Sequence, residues 1–245
     1  MPQLERDGAD TSQSVDRAMT MLWLLAERGP QRQADLVRLT GLQRRILGRF
    51  LASLEQAGLV RRSPHTGLYD LGIALPQLGR LAEERLALPR VAAEPLRELM
   101  VRTACTVLLH MRQGEHLAPA TMANPPGVVS VNYPAGRRIA LWEGLGRAFL
   151  ACLPEIEQRR LSGKVVGETL SEIGEELRRD GYVVSRSMID PGITAVGAVI
   201  VDGIGQPVGL IAVVAAEAQQ PEQFGPLIAD AAQVIAGMYD RSGAN

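Results

Sequence analysis

The chain has 245 residues, of which 46% are hydrophobic and 22% charged, and a formal net charge of −1. That length suits two domains with a sizeable buried core, and the composition is that of a globular protein. No run reaches the roughly 18 uninterrupted apolar residues that a membrane span needs, and the polar, acidic start MPQLERDGAD lacks a secretory pattern, so the expected location is cytoplasmic.

Residues 1–13 show no apolar periodicity and read as a loose tail. Ser14 suits an N-cap, with Asp16 in the first turn, and Val15, Ala18, Met19, Leu22 and Leu25 recur at helical spacing until Gly29-Pro30 ends the helix. A short helix over Gln33–Leu39 stops at Thr40-Gly41, and a third runs from Gln43 to Gln56 and closes at Ala57-Gly58. Two short strands, Leu59–Arg62 and Leu68–Leu71, flank the turn Ser63-Pro64-His65-Thr66-Gly67. Helices around a glycine turn, followed by a hairpin, predict a winged helix-turn-helix domain over residues 1–73.

A linker helix over 74–88 carries Leu75, Leu78, Leu81 and Ala82, and Pro89 marks the start of a second domain, 89–245. Its candidate strands are Thr103–Met111, His116–Met122, Val128–Tyr133, Tyr182–Ser185, Ala195–Asp202 and Pro207–Ala215. Its candidate helices are Pro89–Arg102, Trp142–Cys152, Thr169–Asp180 and Pro221–Tyr239. Asp202-Gly203-Ile204-Gly205 joins the last two strands as a hairpin. The pattern predicts an α+β sensor domain around one antiparallel sheet.

Charge is unevenly spread: Arg28 to Arg62 holds eight arginines against Asp35 and Glu55, a local +6 on a near-neutral chain. On a helical wheel of 43–56, Ile46, Leu47, Phe50, Leu51 and Leu54 form an apolar stripe. Arg45, Gly48, Arg49, Ala52 and Gln56 take the opposite face, with Arg44 at its edge. Arginine's planar fork pairs two-pronged with guanine or phosphate, and a mid-helix glycine, which costs about 1 kcal/mol relative to alanine, suits close approach to DNA. A solvated arginine-rich face with an incidental glycine fits the same spacing. The candidate DNA-binding set is Gln43, Arg44, Arg45, Gly48, Arg49, the wing residues Arg61 and Arg62 as phosphate contacts, and His65 at the wing tip.

No G-x-S-x-G, P-loop or H-E-x-x-H is present, and Gly144-x-Gly146 and Gly203-x-Gly205 do not complete a dinucleotide fingerprint. No enzyme activity, cofactor or metal is expected. Cys105 and Cys152 are too few for a disulfide framework, and His110 and His116 are scattered by strand placement. Tyr133 and Trp142 could line an apolar pocket, with Arg137 or Arg138 reaching a ligand carboxylate; the plainer reading of these residues is a core Trp beside a surface arginine pair.

Several segments together resemble the IclR family of transcription regulators. They are Ser14-Val15-Asp16-Arg17-Ala18, Thr40-Gly41-Leu42, Arg49-Phe50-Leu51-Ala52-Ser53-Leu54, Gly67-Leu68-Tyr69-Asp70-Leu71-Gly72 and Gly144-Leu145-Gly146-Arg147-Ala148-Phe149-Leu150-Ala151, with Gly181-Tyr182 and Gly192-Ile193. The resemblance spans roughly 13–240 and is strongest in the first domain. It implies a GAF-like α/β effector-binding domain and a homodimer or dimer of dimers on a pseudo-palindromic double-stranded operator. It also implies regulation, often repression, switched by a small organic effector, carboxylic or aromatic. By position, the effector set is Tyr133, Arg138, Leu141, Trp142, Gly144, Leu145, Asp190, Ile193 and Thr194. The chain departs from the family pattern at Ile46, at Leu141-Trp142-Glu143, at Val199 and in lacking glutamate over 182–190. Two other readings stay open: a DNA-binding regulator without an effector, and a small-molecule enzyme or binding module whose winged helix serves protein contact.

Overall fold

The computed structural model describes residues 12–126, 137–165, 169–186 and 191–243. Their contacts separate into two compact units, divided between Glu83 and Glu84.

The first unit begins with α1 (Gln13–Arg28), α2 (Gln33–Thr40) and α3 (Arg44–Gln56). The N-cap of α1 is Ser12 rather than Ser14, and its side chain makes no capping hydrogen bond. Gly41 ends α2 in the left-handed conformation, its N–H bonded to Val37 O, and so turns the chain into α3. Only glycine enters that conformation without a steric penalty, which makes the turn tight. Strands β1 (Val60–Arg62) and β2 (Tyr69–Leu71) pair antiparallel, Arg61 opposite Asp70, as the wing. Met21, Leu25, Leu36, Leu47, Leu51 and Tyr69 draw the three helices and the wing onto one core. Leu36, Leu47 and Leu51 are at most 1% exposed, and each fully buried side chain of this size stabilises by about 1.5–3 kcal/mol.

Helix α4 (Ala74–Arg85) ends three residues short of the expected linker, and α5 (Ala87–Thr103) starts after an extended Leu86. Pro89 falls in the first turn of α5, where its missing N–H would have no helical partner in any case, so it does not break the chain there.

The second unit is built on a six-stranded sheet, and every neighbouring pair is antiparallel. Its strands are β3 (Thr106–Gln113), β4 (His116–Ala123), β5 (Ile139–Ala140), β6 (Val183–Arg186), β7 (Ile193–Val201) and β8 (Pro207–Ala216), in the order β5-β4-β3-β8-β7-β6. Four helices join α5 here: α6 (Gly146–Ala151), α7 (Glu155–Ser162), α8 (Leu170–Asp180) and α9 (Gly225–Arg241). On one sheet face, Leu88, Leu96 and Leu99 of α5 and Ile228 and Ile235 of α9 pack on Val107, Leu109, Val196, Ile211 and Val213. On the other, Phe149 of α6, Leu161 of α7 and Ile173 of α8 pack on Leu108, Leu117, Leu210 and Ala212. The alternation of these residues along each strand assigns the two faces.

Two expected helices of this unit differ from the observed elements. The helix expected over Trp142–Cys152 begins only at Gly146, because Gly144 has φ +47 and an added Cβ on Gly146 would lie 2.0 Å from Ala140 O. The single helix over Pro221–Tyr239 is a short 3-10 turn, Pro221–Phe224, followed by α9. Helix α7 and the two-residue β5 were not anticipated. The expected strand Val128–Tyr133 lies outside the described residues.

Candidate functional site

The amphipathic pattern of α3 holds in three dimensions. Leu47, Leu51 and Leu54 are buried, Ile46 and Phe50 are half-buried, and Arg44, Arg45, Arg49 and Ala52 are exposed. Among the described residues no carboxylate pairs with Arg44, Arg45 or Arg49, so three guanidinium groups share one free face. Gln43 is the N-cap of the helix and is exposed. Gly48 is half-buried, and an added Cβ would meet Gln33 Nε2 at 3.2 Å. Its neighbour is therefore α2, and the same amide donates to Arg44 O at 3.4 Å.

The wing cations are arranged differently. Arg61 pairs with Asp70 across the hairpin and also donates from Nε to Leu71 O at 3.3 Å. The Arg62 guanidinium lies 5.4 Å from the centre of the Tyr69 ring, a cation–π contact. His65 is exposed at the turn. In α2, the Arg38 guanidinium beside Asp35 holds that carboxyl below its ordinary range.

The effector set is less unified. Leu141 and Leu145 are buried in the core on the α6 side of the sheet, and Ile193 packs against the same core. Gly144 shapes the turn into α6, and Arg138 is half-buried just before β5. Trp142 is half-buried but already engaged: its ring meets His116 edge-on at 5.7 Å, and Lys164 Nζ lies 4.1 Å from the ring centre. Thr194 does not join this group. It lies opposite Ala215, a member of the core on the α5–α9 face, so strand alternation turns it to the far side of the sheet. Tyr133 and Asp190 lie outside the described residues.

Sequence reasoning passed over Arg147, which is only 6% exposed. Its Nε donates to Gly144 O at 3.5 Å, and it borders, with Leu145 and Ser185, an opening of about 10 Å³. An arginine inside the otherwise apolar run from Gly144 to Ala151 was the signal for it, since a buried cation is rarely placed without a task. His110 is fully buried on the same sheet face, opposite Leu210, and burial pushes its imidazole down to about 4. Among the described residues no three His, Cys, Asp or Glu side chains come together as a metal site, and no helix is long and apolar enough to cross a membrane.

This architecture has known counterparts. The fold superimposes on the crystal structure of an IclR transcriptional regulator from Alicyclobacillus acidocaldarius with a TM-score of 0.81, at 22% identity, over 94% of this chain and 99% of that one. An IclR homolog from Microbacterium hydrocarbonoxydans, crystallised with 4-hydroxybenzoate, matches with a TM-score of 0.75 at 18% identity, over 94% and 99% of the two chains. In sequence, the chain is 28% identical over 232 residues to the HTH-type transcriptional regulator KipR of Bacillus subtilis (strain 168), covering 89% of this chain and 92% of KipR. Residues 17–67 match the MarR family, a second helix-turn-helix description of the first unit. Residues 82–236 match the description "Bacterial transcriptional regulator IclR C-terminal", and with more than half its length so matched the chain belongs to the IclR family.

Proposed function

We propose that this chain is a sequence-specific, double-stranded-DNA-binding transcription regulator whose operator affinity is set by a small organic effector. One observation carries the reading: the solvent face of α3 presents Arg44, Arg45 and Arg49, while its other face is locked into the core of the first unit. Arg45 and Arg49 are one turn apart, roughly 6 Å along the axis, so α3 laid in a major groove aims their forks at base pairs about two steps apart. Gln43 and Arg44 lead that helix end, and Arg62 and His65 reach toward the backbone from the wing. Arg61 is the weaker candidate of the wing pair, because Asp70 already occupies it.

The effector reading rests on the face of the sheet that carries Leu141, Leu145 and Ile193, with Arg138 and the buried Arg147 as cations for an acidic group. The 4-hydroxybenzoate of the Microbacterium homolog fits the same class, an aromatic carboxylate. As a homodimer or dimer of dimers the protein reads two half-sites, and the effector shifts the population of binding-competent pairs. It binds rather than catalyses, and it acts in the cytoplasm.

Fluorescence anisotropy on DNA from the gene's own upstream region, in a salt series with unrelated DNA as competitor, tests the first half. Selective binding with a steep salt dependence supports it; weak binding without preference for any sequence overturns it. Repeating the titration with 4-hydroxybenzoate and related acids tests the second half. An unchanged affinity across that series favours a regulator that responds to no effector of this class.

A further inference from the structure

Strand β6 is four residues long and pairs with β7 only from Thr194 to Gly197, while β7 runs on to Val201. Among the described residues no strand covers that edge of β7 beyond Gly197. Along the uncovered stretch lies a groove of about 640 Å³, lined by Val199 and Val201 of β7, by Gly174 and Leu177 of α8, and by Ala232 and Ala236 of α9. Small side chains create the space: a Cβ added to Gly174 would meet nothing within 4 Å. The volume is in the range of roughly 300–1,000 Å³ that organic ligands fill. None of the expected effector residues lines it, and it shares no lining residue with the opening beside Arg147.

The charge of the groove narrows what fits. Arg178 is the one charged side chain among its described lining residues, and no carboxylate among the described residues pairs with it. The adjacent Arg179, by contrast, is held by Asp180. Gln158 and Gln233 add amides to the lining, and Ser171 a hydroxyl. The remaining surface is mostly aliphatic.

We propose that this groove is a second ligand site, distinct from the effector site of the proposed function, for a compact organic monocarboxylate with an apolar body. The aliphatic lining takes the body and Arg178 takes the carboxylate in a two-pronged contact. An occupant touches both α8, which packs on α6, and α9, which packs on α5. It thereby gives the domain a separate input, favouring the arrangement of those helices that holds it best.

The test uses the full chain, with octanoate and benzoate as probes and octanamide and benzamide as their uncharged counterparts. Methyl resonances of Val199 and Ala232 report occupancy of the groove, and calorimetry reports affinity. Both acids are expected to shift those resonances. Arg178→Gln is expected to weaken acid binding about fivefold, the size of one partly exposed charge pair, and the amides to bind the unaltered chain with a similar deficit. Gly174→Leu fills the groove from an open helical position; it is expected to cut affinity at least about tenfold while thermal stability and DNA binding hold, which separates this site from the DNA-binding function. Absence of groove shifts at millimolar acid overturns the site. Undiminished acid binding in Gly174→Leu moves the ligand elsewhere and overturns it equally. Equal binding of acids and amides, with no effect of Arg178→Gln, overturns the anionic class.

Discussion

Replacing Gly48 with alanine separates two roles that this glycine could have in α3. In the structure its missing Cβ faces α2: an added methyl would lie 3.2 Å from Gln33 Nε2, a tight contact with the far end of a flexible side chain. Alanine gains about 1 kcal/mol of helix propensity over glycine in a helix interior. Against that, Gln33 must shift by a few tenths of an ångström and gives up its long 3.4 Å bond to Arg44 O, which at that length is worth at most about 0.5 kcal/mol. The balance is a stabilisation of about 0.5 kcal/mol, which in a unit of this size raises its melting midpoint by roughly 2–4 °C. Operator affinity is expected to change by less than about twofold, since the methyl lies toward α2. Calorimetric melting and anisotropy on the same preparation read both quantities. A loss of roughly tenfold in DNA affinity at an unchanged or raised midpoint would refute the packing explanation and assign Gly48 to close approach of the helix to DNA. A lowered midpoint would show that Gln33 cannot yield.

Arg45→Ala and Arg49→Ala are each expected to weaken operator binding by about 1–3 kcal/mol in anisotropy titrations without moving the melting midpoint, because neither side chain is in the core; equal losses of binding and stability would mean that α3 faces the other way. Gly197→Ala places a Cβ 2.8 Å from Leu145 Cδ1 and 3.1 Å from Ile211 O. It is expected to destabilise the second unit by about 1–3 kcal/mol, and Leu145→Ala in the same chain to relieve part of that in a double-mutant cycle. His110 makes stability depend on pH: its folded pKa of about 4 is below the unfolded value of roughly 6.5, so as pH falls the unfolded chain takes up the proton first. The stability from the neutral, buried ring is complete above about pH 6.5 and is lost as pH falls toward 4, by up to about 3 kcal/mol. Urea midpoints across that window are expected to flatten in His110→Gln.

Elements whose identity rests on local chemistry were legible from the chain. Helices α1 to α3 and the wing emerge within a residue or two, because apolar spacing and the Gly29-Pro30 and Gly41 stops leave few alternatives. The start of α1 was misplaced by two residues because Ser12 caps it through the backbone alone. The stretch from Trp142 to Leu145 kept helical apolar spacing, yet Gly144 and Gly146 serve a turn packed under Ala140 O, a constraint visible only after folding. Helix α7 did carry a local signature, Pro154 followed by Glu155 and Glu157 in its first turn, and was readable. Thr194 shows the firmer limit. Periodicity says that alternate residues share a face, but which face meets α6 is decided only when that helix, well separated from β7 in the chain, packs on the sheet. The same holds for the groove over β7, which exists because β6 is short.

The wing arrangement bears on how the protein finds its site. Any duplex offers the same phosphates, and a regulator whose every arginine is free lingers on unrelated DNA. Here Arg61 of the wing, like Arg38 of α2, already has a carboxylate partner, Asp70 and Asp35 respectively. A phosphate must displace an internal carboxylate to win either one, and few condensed counterions are released in the exchange. Under the proposed function, sequence-blind attraction is thereby trimmed, while the unpaired arginines of α3 keep their full reward for the correct bases. On that reading the internal pairs act on the kinetics of search, shortening each stay at a wrong address along the genome.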